Sequence, residues 1–342
     1  MNKARRRLIA LVAICLVAGI ALFAAKDTVR WGLDVASGKE YVGNGHGTAM
    51  LTILPGDTGE QIAKALVDAG VTASYSATYR EVLRENATFF PGQYKLSLQM
   101  GSAAAISTLV GGKTRVEKRV LIKEGWRATQ IFAALSKAYG VPMADFQAIQ
   151  PSDLSLPKSA LNLDGYLFPA TYSFTPGQSA VSMLRSMHER MQIELDKLGI
   201  SRSQEHLVLT LAALVQREGR SANDFAKMAR VFLNRIDTGM LLQSDATVSY
   251  GANSATVATT AEQRANDNPW NTYLHAGLPA GPISAPGSAA LAAALNPTAG
   301  NWLYFCTVNL ETGETEFNAT YSGHLQSVAK WQAWMAAHPG WK

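Results

Sequence analysis

The stretch LVLTLAALVQREGRSANDFAKMARVFLNRIDTGMLLQSDATVSYG, Leu207 to Gly251, decides how the chain is read. From Leu207 to Val215 every residue but Thr210 is apolar, too solid a run for one amphipathic stripe. It predicts a helix buried on most sides, with Glu218 on its last turn. Gly219 is a natural stop, and Ser221 to Asp224 read as a capping box opening a second helix. That helix would turn Phe225, Met228, Ala229, Phe232, Leu233 and Ile236 inward. A carboxylic acid where two such helices meet is desolvated, which raises its pKa and suits it to give a proton near neutral pH. A Glu ending a helix also commonly points into water, and this stretch alone leaves both readings open.

The N-terminus carries Lys3, Arg5, Arg6 and Arg7, then eighteen uncharged residues from Leu8 to Ala25, then Lys26. At helical rise that run is roughly 27 Å long, enough to cross a hydrocarbon core. It is longer than a signal-peptide core, and Leu22 or Phe23 stands where cleavage wants a small residue. The expectation is an uncleaved anchor over 8–25, with residues 1–7 cytoplasmic and the rest outside. Four of the 31 basic residues and none of the 26 acidic ones lie before Lys26, leaving a net charge of only +1 beyond it. The basic pI therefore reflects the orienting cluster and gives no support to a nucleic-acid partner. Cys15 lies inside the span and Cys306 in the apolar run Trp302 to Cys306, read as a buried strand, so the two are not expected to pair.

Beyond the anchor, residues 26–47 are rich in Gly and polar residues and read as a tether. A partial repeat follows. Ile53-Leu-Pro-Gly56 precedes Gln61-Ile62 and Ala65-Leu66, and Ile122-Lys-Glu-Gly125 precedes Gln130-Ile131 and Ala134-Leu135 at the same spacing. Each copy predicts a short strand, a turn at Gly and a helix. Between them Phe90 to Leu96 predicts a strand and Ser102 to Val110 a helix closed by Gly111-Gly112. This strand, turn and helix arrangement over 48–115 resembles the LysM type of glycan-binding module, and a structural unit without a ligand fits as well. Residues 116–160 read as the second strand-helix unit and a connector. The catalytic candidate region spans 161–342, where Tyr166, Phe168, Tyr172 and Phe174 suggest a packed corner with one or two rings facing a groove. Met183, Met187 and Met191 recur at helical spacing, the pattern of a core stripe. From Trp302 to Asn318 the pattern is that of a hairpin, and from His324 a closing helix turns Leu325, Val328, Trp331 and Met335 inward.

The chemistry narrows by elimination. There is no G-x-S-x-G elbow and no glycine-rich phosphate loop, neither Cys is placed as a nucleophile, and His188-Glu189 lacks the second His of a zinc protease helix. Neither a metal nor an organic cofactor is expected. Acid–base work by carboxylates remains, with Asp245, Glu262 and Asp267 as candidates besides Glu218. An ordinary glycosidase needs a carboxylate pair. In a lytic transglycosylation one Glu suffices, serving first as acid and then as base toward the sugar's own 6-hydroxyl.

The chain resembles the endolytic murein transglycosylases (MltG/YceG-like). The densest match is Leu211 to Glu218, Val231 to Arg235, Gly239-Met240, Leu242 to Asp245 and Thr247-Val248. Gly165 to Pro169, Asn271 to Tyr273, Gly277 to Ile283, Pro286-Gly287, Leu303 to Phe305 and Phe317 to His324 add to it. The resemblance implies an α+β protein: a single transmembrane helix, a LysM-like α/β subdomain, and a mixed α/β catalytic domain with its Glu on a buried helix. It carries the catalytic glutamate onto Glu218. It makes Asn234, Gln243, Asp245, Asn271 and Tyr273 substrate-binding candidates, each of which could equally cap helices and fix loops. Gln216 stands where the family has another Glu, Ala246 and Ala280 where it tends to have Pro, and Ala170 where it tends to have Asp. The implied substrate is peptidoglycan, cut between N-acetylmuramic acid and N-acetylglucosamine with 1,6-anhydro ends. The implied setting is the inner membrane with the catalytic part periplasmic, beside peptidoglycan synthases (penicillin-binding proteins). The alternatives are a hydrolytic muramidase or glucosaminidase using Glu218 with Asp245, and a non-catalytic wall-binding division scaffold.

Overall fold

The computed structural model describes residues 39–116, 118–219, 221–254 and 259–341, with 33 and 36 besides. The apolar run 8–25 and Cys15 lie outside these, and among the described residues no helix is long and apolar enough to cross a membrane. The chain is α+β and divides into two units, one of residues 1–118 with 175–177, the other of the remainder.

In the first unit β1 (His46–Ile53), α1 (Gly59–Asp68), α2 (Tyr75–Arg84), β2 (Gly92–Leu98), α3 (Ser102–Val110) and β3 (Arg115–Val116) follow in order. The sheet runs β1-β2-β3, antiparallel throughout, with Ile53 opposite Gly92 and Tyr94 opposite Arg115. Ala49, Leu51 and Ile53 alternate inward along β1 and pack on Ile62 and Leu66 of α1 and Ile106 and Leu109 of α3. The expected tether is fixed at its far end. Glu40, only 6 % exposed, accepts from Ser102 N at 2.6 Å and from Ser102 Oγ at 2.9 Å, so a carboxylate caps α3. Helix α2 has no counterpart in the sequence reading, because it buries only Ala77, Thr78 and Val82 and so offers few large apolar residues to mark its inner face.

The second unit opens with β4 (Arg119–Leu121), α4 (Ala128–Tyr139), α5 (Met143–Gln147), a 3-10 turn (Pro151–Leu154) and β5 (Thr171–Ser173), the two strands pairing antiparallel. The repeat has a shared physical basis. Gly56 and Gly125 both turn with positive φ, +89° and +75°, and Gln61 and Gln130 reach back to the backbone N–H of Thr58 (2.7 Å) and Arg127 (2.9 Å). The stretch read as a connector instead buries Phe146 and Leu154 in the core around α4.

Then come α6 (Ala180–Lys197), α7 (Glu205–Glu218), α8 (Ala222–Asp237), α9 (Asp245–Gly251), α10 (Ala261–Ala265), α11 (Ser288–Leu295), β6 (Tyr304–Asn309), β7 (Glu314–Asn318) and α12 (Tyr321–Ala337). Met183, Met187 and Met191 line the core, as their spacing predicts. Leu209 to Val215 are all buried, against α8 and α11. Their four large aliphatics alone contribute roughly 6–12 kcal/mol before chain entropy is set against them. Leu207, at 59 % exposed, is the exception to the expected buried run. Tyr166, Phe168 and Phe174 are core, as the packed corner requires. The hairpin β6–β7 pairs Tyr304 with Asn318 and Phe305 with Phe317. It is half-buried rather than buried, and Cys306 is a free, half-buried thiol. Helix α12 starts three residues before His324, capped by Thr320, and its rotation leaves Leu325 exposed while Val328, Trp331 and Met335 are half-covered.

Candidate active site

Helix α7 ends at Glu218 because Gly219 leaves the helical conformation (φ −83°, ψ 138°) where α8 comes closest. A Cβ there would lie 2.3 Å from the Phe225 ring, so only glycine allows the two helices to meet. Ser221 Oγ then accepts from Asn223 N (3.2 Å) and opens α8. Glu218 is thereby brought, half-buried, to the wall of a cleft of about 340 Å³.

The opposite wall is set by the turn before α9. Gln243 takes a left-handed backbone (φ +48°) and its N–H donates to Thr272 O at 3.0 Å. That turn aims Ser244 at Glu218, whose Oε1 accepts the Ser244 hydroxyl. Ser244 is itself held: its N–H donates to Thr272 Oγ1 (3.1 Å), and its carbonyl accepts from Thr247 Oγ1 (2.7 Å). Burial pushes the Glu218 carboxyl above its usual range, and the charge of Asp245 pushes the same way. The Ser244 hydroxyl, the Ala246 N–H and Arg217 oppose that shift without cancelling it. The outcome is a carboxyl that holds its proton at higher pH than an exposed Glu.

Asp245 begins α9, and its Oδ1 accepts from Tyr273 OH (3.0 Å) and Thr259 Oγ1 (2.5 Å). Burial, then this carboxylate, pushes the Tyr273 phenol up to about 12, so it stays protonated and donates. Arg235 of α8 donates to Leu303 O and Leu242 O, both at 2.7 Å, and lies 5.4 Å from the Tyr304 ring. It joins both walls and sets a positive charge within reach of Glu218. Tyr304, Phe305, Tyr321 and His324 complete the cleft, with the His324 ring stacked on Tyr304 at 5.2 Å. Burial lowers the His324 pKa, and the positive charge of Arg235 pushes the same way.

Of the residues singled out in the sequence, Glu218, Gln243, Asp245 and Tyr273 line this cleft. Asn234 instead donates to Gly300 O (3.1 Å) and Trp302 O (2.8 Å), fixing the approach to β6. Asn271, fully buried, donates to Arg264 O (2.9 Å) and Asn266 O (2.7 Å) and accepts from Tyr273 N (3.0 Å). Both hold loops around the site. Glu262 falls on α10 and Asp267 pairs with His275 at 2.8 Å, and neither lines the cleft. Gln216 accepts from Gly287 N (3.0 Å), so at the position of the family's other Glu a neutral amide ties α7 to the start of α11. Ser244, Arg235, Tyr304, Phe305 and Tyr321 also line the cleft; all five fall within segments that carry the family resemblance, but the sequence alone gives none of them a role at the site.

Comparison with known proteins finds relatives across most of the chain. The model of a family described as YceG-like matches residues 51–330. The endolytic murein transglycosylase of Bacillus subtilis (strain 168) is 29% identical over 307 residues, which span 83% of this chain and 85% of the relative. That of Streptococcus pneumoniae serotype 2 (strain D39) is 27% identical over 80% of this chain and 56% of its own longer length. The crystal structure of a yceG-like protein from Listeria monocytogenes superposes with a TM-score of 0.55 at 29% identity, covering 82% of this chain and 99% of that one.

Proposed function

The chain belongs to the YceG-like family, and from that membership and the setting of Glu218 we infer that it is a lytic transglycosylase acting on peptidoglycan. The bond cut is the β-1,4 link between N-acetylmuramic acid and N-acetylglucosamine, inside the strand. Glu218, its pKa raised by the desolvation of its carboxyl, gives its proton to the leaving oxygen as the C1–O4 bond breaks. As carboxylate it then takes the proton from the muramic 6-hydroxyl, whose oxygen closes on C1. The products are a 1,6-anhydro end and a free 4-hydroxyl, and Glu218 is again protonated. No water is consumed and no second carboxylate is required.

The observation that carries this reading is the single carboxyl at the end of a buried helix, held by Ser244. The hydroxyl keeps the carboxyl in one orientation, and the bond strengthens as the carboxylate forms. Asp245, engaged by Tyr273 and Thr259, acts by charge: its field favours the protonated acid. Gln243 and the rings of Tyr304 and Tyr321 offer an amide and aromatic faces to the sugars.

Three further parts of the proposal rest on sequence. The apolar run 8–25, flanked by basic residues, anchors the chain in the inner membrane with its catalytic part in the periplasm. The first unit, in which α1 and α2 link the antiparallel strands β1 and β2, acts as a LysM-like glycan contact. Work on nascent strands beside peptidoglycan synthases follows from that location. The reaction class is tested by digesting peptidoglycan in heavy-oxygen water. Transglycosylation leaves every new end unlabelled, while label at new reducing ends would identify a hydrolase.

A further inference from the structure

A second cleft, of about 450 Å³, lies at the other end of α9 and contributes nothing to the acid–base step described above. Helix α9 starts at Asp245 beside Glu218, and its last residues, Tyr250 and Gly251, line this cleft, about 10 Å further on at helical rise. Its centre is a buried polar cluster. Asp164, 8 % exposed, accepts from Ala128 N (2.6 Å) on one oxygen and from Tyr250 OH (2.7 Å) on the other. Asn162 Nδ2 donates to the same phenol oxygen at 2.8 Å. Each Asp164 oxygen thus already holds a donor, supplied by groups that do not depend on Arg127's side chain.

Arg127 lies against that cluster, its guanidinium 5.0 Å from the centre of the Tyr250 ring. The side chain is half-buried, yet among the described residues it makes no ion pair and its guanidinium donates no hydrogen bond. A guanidinium presents five donors in a planar fork suited to a carboxylate; Arg127 feels the charge of Asp164 but engages none of its donors in a hydrogen bond among the described residues, which leaves the fork open to a further anion. Arg217, next to Glu218 in the chain, is close enough for its charge to be felt at both Arg127 and Glu218. At each of the two groups a carboxylate acts more strongly in the opposite sense, Asp245 at Glu218 and Asp164 at Arg127. Trp270 and the exposed Leu161 add an aromatic wall and an apolar rim.

We propose that this cleft, with Arg127 as its anion-binding residue, takes a carboxylate carried on the side of the glycan strand and so positions the strand across Glu218. The proposal rests on the peptidoglycan reading. Such strands offer two sources of that group, the carboxyl groups of a stem peptide and, where the peptide has been removed, the bare lactyl carboxylate of the sugar.

The test is binding to the intact chain carrying Glu218→Gln, which blocks turnover. Three glycan preparations are compared: strands with stem peptides, strands stripped of them, and stripped strands whose lactyl carboxylates have been converted to neutral amides. At least one charged preparation should bind about tenfold more tightly than the amidated one, as one charge-assisted contact implies. Arg127→Gln added to the same chain should abolish the difference, while Arg127→Lys, which keeps the charge without the fork, should retain part of it. A preference shown only by peptide-bearing strands identifies the stem peptide, and one shared by stripped strands identifies the lactyl group. Equal affinity for all three, or a fall with Arg127→Gln that is the same for all three, would overturn the proposal. Absence of cleavage of any preparation by the chain with Glu218 intact would instead bring down the peptidoglycan reading, and this inference with it.

Discussion

Ser244 gives its hydroxyl hydrogen to Glu218, and it can do so only because Thr272 and Thr247 hold its backbone from both sides. A donor to a carboxylate stabilises the charged form, so this contact restrains a pKa that burial raises. Ser244→Ala should move the alkaline limb of the pH–rate profile upward and lower kcat by roughly tenfold through lost orientation. A profile superimposable on that of the native chain would show the contact to be dispensable.

Asp245 acts in the opposite sense. Its negative charge raises the Glu218 pKa, so Asp245→Asn, which retains an oxygen for Tyr273 and Thr259, should shift the alkaline limb to lower pH. Residual activity at acidic pH is expected, because Asp245 is not the proton donor. If Asp245→Asn abolished turnover at every pH while leaving strand binding intact, a two-carboxylate mechanism would replace this one.

The same raised pKa makes a prediction about stability. Glu218 is protonated more readily folded than unfolded, where its value is about 4.5, so its contribution is fully present below that pH. It is lost as pH rises through the higher folded value. Glu218→Gln should therefore raise Tm by a few degrees at pH 7.5 and leave it unchanged at pH 4. Scanning calorimetry at the two pH values reads this directly, and a lower Tm at pH 7.5 would show the carboxylate to be stabilised, against the account.

Asn271 is the buried pin of the loop that presents Thr272 and Tyr273. Asn271→Ala strands the carbonyls of Arg264 and Asn266 and the N–H of Tyr273, which should cost about 2–4 kcal/mol in denaturant unfolding. If Asn271 instead bound sugar from the cleft, the variant would lose affinity with little loss of stability.

Local signals made much of this legible in the sequence. Glycines, caps and periodicity located α1, α3, α4, α6, α7, α8 and the β6–β7 hairpin within a few residues. The repeat was visible because Gly56 and Gly125, and Gln61 and Gln130, do the same backbone work in each copy. Glu218 was visible because the run before it is apolar on all sides. The facing wall was not: Ser244 reaches Glu218 across 26 positions, through a left-handed turn at Gln243 that no glycine announces. Helix rotation was equally hidden, since neighbours far along the chain decide that Leu207 and Leu325 face out. Asn234 and Asn271 share the residue type of sugar ligands, and only their partners show that they hold loops.

The most direct test is mass spectrometry of the glycan fragments released from purified peptidoglycan by the intact chain and by its Glu218→Gln variant. The account predicts 1,6-anhydro ends from the native chain and no new ends from the variant. Fragments heavier by one water, or cleavage that survives the loss of Glu218, would contradict it.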